Sequence, residues 1–100
     1  VVTSDLEHNS VSRPLRALEL AGVITLTRVR SSPEGVIDPD DVKKALTPAT
    51  RLVALTHASN VLGTVQPVEE AGAAVRGHGA LFLVDAAQTA GAYPLHAERM

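Results

Sequence analysis

Asp85 is the residue of this chain best placed to do chemistry, because it follows the apolar run Ala80-Leu81-Phe82-Leu83-Val84 without a break. Such a run reads as a buried central strand, since a half-exposed strand alternates apolar with polar positions. An acid ending a buried strand loses hydration unless something cationic meets it, and a protonated ring nitrogen is one such partner. Gln88 stands just beyond it, His8 follows the first predicted strand and Asn60 the third. In a parallel sheet all of these fall on the edge where ligands bind. Each also has a plain structural role open to it. Asp85 could accept from backbone amides in a turn, His8 could cap a helix, and Asn60 could be a turn residue. Their convergence on one edge favours a ligand site.

The elements that must position them alternate. Val1-Val2-Thr3 reads as the tail of a strand, and Asn9 or Ser10 as the N-cap of a helix carrying Leu15, Leu18 and Ala21. Pro14 belongs near that helix's start, and Gly22 closes it. The pattern over 23–29 predicts a second strand, less buried on one side. Asp38-Pro39 opens a short helix with acids early and lysines late, which suits the helix dipole. Residues 51–56 form a third strand and 57–66 a polar loop. Pro67 opens a helix bearing Val68, Ala71 and Val75, closed at Gly77-His78-Gly79. Strands alternating with helices predict an α/β fold, a three-layer sheet of mainly parallel strands with right-handed helical crossovers.

Composition narrows the function classes. One hundred residues allow a single domain, and 45% hydrophobic with 20% charged residues is ordinary for a globular chain. The net charge is -2 with scattered Arg and Lys, so nucleic acid and anionic membrane are not expected partners. No apolar run approaches the roughly 20 residues a bilayer requires. The absence of cysteine removes disulfides and thiolate sites, and fits a reducing, cytoplasmic setting. His57, His78 and His96 lack metal-ligand spacing, no Gly-x-Ser-x-Gly elbow occurs, and Gly72, Gly77 and Gly79 do not form a phosphate loop. The chain starts Val-Val-Thr and stops at Arg99-Met100 without a cap, so both ends are expected to be cut.

Three stretches carry a family resemblance: Glu7-His8-Asn9-Ser10-Val11, Thr56 to Pro67 (THASNVLGTVQP), and Val84 to Gly91 (VDAAQTAG). Together the stretches resemble the cysteine desulfurases of the class V aminotransferase family, pyridoxal-phosphate enzymes of fold type I. The resemblance spans residues 1–100 and implies part of the cofactor-binding large domain. It implies that His8 stacks on the pyridoxal ring, that Asn60 lies near the ring's 3-oxygen, that Asp85 pairs with the pyridine nitrogen, and that Gln88 hydrogen-bonds the 3-oxygen. It further implies an amino-acid substrate, a homodimer and a sulfur-acceptor protein.

The family's Schiff-base lysine is absent, as Lys43 and Lys44 lie on a charged helix. The glycine-threonine phosphate contacts would precede Val1, and the sulfur-accepting cysteine would lie beyond Met100. The expectation is therefore a fragment of a cysteine desulfurase, converting cysteine to alanine with sulfur transfer to an enzyme cysteine, and inert alone. Selenocysteine lyase or another class V aminotransferase activity is the near alternative. A non-catalytic, receiver-like α/β module is the distant one, and it would need Asp5 as a second acid beside Asp85.

Overall fold

The computed structural model describes residues 1–100. Strand β1 (Val2–Ser4) leads through helix α1 (Asn9–Leu20) to β2 (Thr27–Val29), and then through α2 (Pro39–Ala45) to β3 (Leu52–Thr56). Helix α3 (Val68–His78) and strand β4 (Leu81–Asp85) follow, and a single 3-10 turn, Ala97–Arg99, lies near the end. All four strands are parallel, in the order β2-β1-β3-β4.

That order has a functional consequence. The chain first steps from β1 outward to β2, and later from β3 outward to β4 in the opposite direction. Right-handed crossovers then put α1 on one face of the sheet, and α2 with α3 on the other. Arg28 of β2 meets Glu19 of α1 at 3.0 Å across the first face. On the second face Val2, Val29, Ile37, Val42, Val53, Leu55, Ala71 and Val75 form the core. The loops leaving β1 and β3 part company between these two strands, which opens a crevice at the carboxyl edge.

Local chemistry explains most boundaries. Asp38 caps α2 by accepting from the Asp40 amide at 2.9 Å, with Pro39 in the first turn. His8, rather than Asn9 or Ser10, caps α1: its Nδ1 accepts from the Ser10 amide at 3.1 Å. Pro14 sits in the second turn of α1, where it withholds a bond from the Ser10 carbonyl. Strand β2 covers 27–29 only. Residues 23–26 have no ladder partner, and Val23 is exposed.

The largest correction concerns β4. Within residues 1–100 it lies at the edge of the sheet, with Leu81 and Leu83 exposed on the α1 side. The buried interior strands are β1, buried throughout, and β3, in which Val53, Ala54, Leu55 and Thr56 are all buried. An apolar run states what a strand tolerates on both faces, not which neighbours it has. No helix is long and apolar enough to cross a membrane.

Candidate functional site

At the carboxyl edge, residues from the ends of β1, β3 and β4 surround a cleft of about 220 Å³, lined by His8, Ser10, Thr56, Ala58, Asn60, Asp85, Ala87 and Gln88. All four residues singled out from the sequence therefore meet in one hollow, although they come from three separate loops.

His8 caps α1 and also lines the cleft. Its Nδ1 takes the Ser10 amide hydrogen and lies 2.9 Å from the Ser10 hydroxyl. A nitrogen that accepts from N–H must offer its lone pair, so any ring proton of the neutral imidazole is on Nε2. The cap thus fixes the ring's tautomer and direction while the ring stays exposed along the cleft.

Asp85 ends β4 opposite Thr56 of β3. One carboxylate oxygen, Oδ1, accepts from the Ala87 amide at 3.0 Å, so the turn role considered above is real. The side chain is half-buried rather than fully enclosed, and no arginine, lysine or histidine pairs with it. Gln88 follows in the next turn, exposed, with its amide uncommitted to other protein groups.

Asn60 is exposed at the tip of a braced loop. Ala58 bridges Val65, the Ser59 amide donates to the Thr64 carbonyl at 2.9 Å, and the Ser59 hydroxyl accepts from the Leu62 amide at 3.1 Å. Buried Gln66 fastens the base of this loop to its neighbour. It donates to the Gly35 carbonyl at 3.0 Å and accepts from the Ile37 amide at 2.9 Å.

Several residues that shape the site carried no role in the sequence reading. His57 is buried, with Nδ1 2.9 Å from the Thr89 hydroxyl and the Tyr93 ring edge-on at 6.2 Å. That contact ties the start of the Asn60 loop to the turn bearing Gln88. Glu7 spans the crevice itself: Oε1 accepts from the Ser4 hydroxyl at 2.7 Å and from the Thr56 amide at 2.9 Å. Burial pushes its carboxyl above the ordinary carboxylate value of 4.5, the Asp85 charge adds to this, and the bonds from Ser4 and Thr56 oppose it. Glu7 lay inside a quoted motif, but its partner Thr56 is 49 residues away in sequence. Only the assembled sheet reveals the pair.

Asp5 accepts from the Ser31 amide at 3.0 Å and does not line the cleft. It is thus not positioned as a second acid beside Asp85. No group of three or more His, Asp or Glu residues is placed to hold a metal ion.

Comparison with known proteins extends the picture. The whole chain, residues 1–100, matches the family described as aminotransferase class-V. The cysteine desulfurase IscS of Dictyoglomus turgidum is 36% identical over 100 residues, which is 100% of this chain and 25% of the relative. Among solved structures, a NifS-like protein superposes with a TM-score of 0.89 at 31% identity, covering 97% of this chain and 27% of its own. SspA in complex with cysteine superposes with a TM-score of 0.84 at 36% identity, over 88% of this chain and 25% of its own. The chain spans about a quarter of the length of the curated relatives it matches.

Proposed function

The chain belongs to the aminotransferase class-V family, and from that premise we propose that it forms the ring-holding part of a pyridoxal-phosphate site in a cysteine desulfurase. The observation that carries the reading is the convergence of His8, Asn60, Asp85 and Gln88 on one cleft whose anion has no cationic partner. The donor set fits the group. An unpaired carboxylate suits a protonated pyridine nitrogen, two uncommitted carboxamides suit a phenolic oxygen, and an oriented imidazole suits the ring face.

When bound, pyridoxal phosphate supplies an electron sink for negative charge developing at the substrate's α-carbon. The work of this chain is to hold that sink ready. Asp85 would keep the proton on the ring nitrogen, because opposite charges at short range favour the charged forms of both. Asn60 and Gln88 would donate from their amide nitrogens to the ring oxygen. His8 would restrain the ring from one side, its direction already set by Ser10. Little reorganisation is then left for the moment of reaction, which is where preorganised polar groups act.

The chain contains no cysteine, and neither Lys43 nor Lys44 lines the cleft. The residue that carries the cofactor and the thiol that takes the sulfur are therefore assigned to other parts of the enzyme, and this segment alone is inert. A cysteine substrate is supported by the names of IscS and of the SspA complex. A homodimer, a sulfur-acceptor protein and action in the cytoplasm belong to the same proposal.

The test is Asp85→Ala in the full-length enzyme, read by alanine released from cysteine and by cofactor absorbance. Turnover should fall by roughly a hundredfold or more, the scale of losing one preorganised electrostatic partner, with circular dichroism unchanged. Normal turnover in this variant would sink the assignment.

A further inference from the structure

Glu7 is the one acid with a carboxyl oxygen cut off from water, and the assignment above does not use it. It occupies the crevice where β1 and β3 separate, and its Oε1 joins Ser4, the last residue of β1, to Thr56, the last of β3. Beyond the Thr3–Ala54 pair the β1–β3 ladder has ended, so this carboxyl takes over the Thr56 amide that the neighbouring strand no longer meets.

Its two oxygens are in unlike settings. Oε1 has two donors, whereas Oε2 is cut off from water and has no partner. An ionised carboxylate would leave half its charge on an atom with no donor, at a larger cost than a buried neutral hydroxyl. A neutral acid matches the asymmetry: Oε1 is the carbonyl oxygen that accepts twice, and Oε2 carries the proton. The titratable groups around it favour the same state. Asp85 of β4 repels a second negative charge. His8, next in the chain, has Nδ1 committed to Ser10, and Asp5 is turned to Ser31. No arginine or lysine forms a salt bridge with Glu7.

We propose that Glu7 is a positioning residue of the cleft, a neutral carboxylic acid that braces the ends of β1 and β3 and leaves Asp85 as the only anion facing the ligand. The consequence for the ligand rests on the cofactor assignment; the neutral acid itself does not. Were Glu7 ionised, a second negative charge would lie in the crevice beside Asp85, and the cleft would no longer present a single anion to a cationic ring.

The experiment uses the full-length enzyme freed of cofactor, as wild type, Glu7→Gln and Glu7→Ala. Infrared difference spectra at neutral pH should show a protonated-carboxyl band in the wild type that is missing from Glu7→Gln. Pyridoxal phosphate should bind Glu7→Gln within about threefold of wild type, because the amide keeps a carbonyl acceptor for Ser4 and Thr56. It should bind Glu7→Ala about tenfold or more weakly, the scale of leaving a buried donor without its acceptor. A carboxylate band in place of the acid band overturns the proposal, as does Glu7→Gln failing as badly as Glu7→Ala. If the wild type shows the acid band yet binds no pyridoxal phosphate, the neutral acid stands and the cofactor assignment falls.

Discussion

A histidine that caps a helix has one nitrogen engaged and its ring direction settled, which is what a flat ligand lying against it requires. The capping role of His8 and its proposed role against the cofactor ring can be separated by substitution. His8→Ser keeps an oxygen acceptor for the first turn of α1 and should change stability by only a few tenths of a kcal/mol, whereas His8→Ala should cost about 1 kcal/mol. Both remove the ring, so both should weaken pyridoxal-phosphate binding alike; chemical denaturation beside cofactor titration distinguishes the effects. Equal affinity of His8→Ser and wild type would remove the stacking role. Glu7 gives a second expectation at this scale. Its folded pKa lies above the unfolded value near 4.5, so between the two the native state binds more protons than the unfolded one. Its contribution is therefore full at low pH and is lost as pH rises through the folded value. Stability of the wild type should fall relative to Glu7→Gln over that window, and parallel curves from urea melts would contradict the raised value. Asp85 and Gln88 were legible in the sequence because polar residues directly after an apolar strand are conspicuous. Glu7 was not, since its burial depends on Thr56 and Asp85, which only folding brings near.

At the scale of elements, the site depends on how firmly the 57–66 loop is seated. Its braces run to the turn at Gly35, whose φ is +78° and whose carbonyl accepts from both Thr64 Oγ1 at 2.7 Å and Gln66. A Cβ at position 35 would meet only the tip of the exposed Leu62 side chain, at 2.6 Å, which can turn away, so Gly35→Ala acts by straining the backbone whose carbonyl holds Thr64 and Gln66. Gly22 provides the control, because its φ is +72° and nothing lies within 4 Å of an added Cβ. Gly35→Ala and Gly22→Ala should each lose about 1–2 kcal/mol from the left-handed conformation. Only Gly35→Ala should also speed hydrogen exchange across 57–66. Equal exchange in the two variants would show that the loop is not held from Gly35. The sequence marked this stretch as a polar loop bearing Asn60 and a family-like motif, with no sign of what holds it in place. Its order comes from Gln66, a buried amide that reaches back 31 residues to Gly35, and local patterns carry no trace of such a link.

For the molecule as a whole, the alternation of strands and helices made the parallel α/β class readable, while the strand order was not. Alternation fixes the hand of each crossover but not the side on which the next strand docks. The reversal between β1 and β3 creates the crevice, so the feature that matters most for function was the least visible in one dimension. The same gap explains β4. Its apolar run suits cover on both faces, yet in this chain Leu81 is 75% and Leu83 46% exposed, on a strand with an open edge. An apolar strand with a free edge is a template for pairing with another copy. The 100-residue chain by itself should therefore associate as its concentration rises, and Leu81→Lys with Leu83→Lys should suppress this while leaving the α2/α3 face intact. Leu55, 0% exposed in the core, sets the contrast: Leu55→Ala should cost about 2–5 kcal/mol, whereas Leu83→Ala should cost far less because that side chain is already in contact with water. Sedimentation velocity across a concentration series checks the association. A monomer at every concentration, with the double lysine variant behaving as the parent, would mean that the outer face of β4 is no template for pairing.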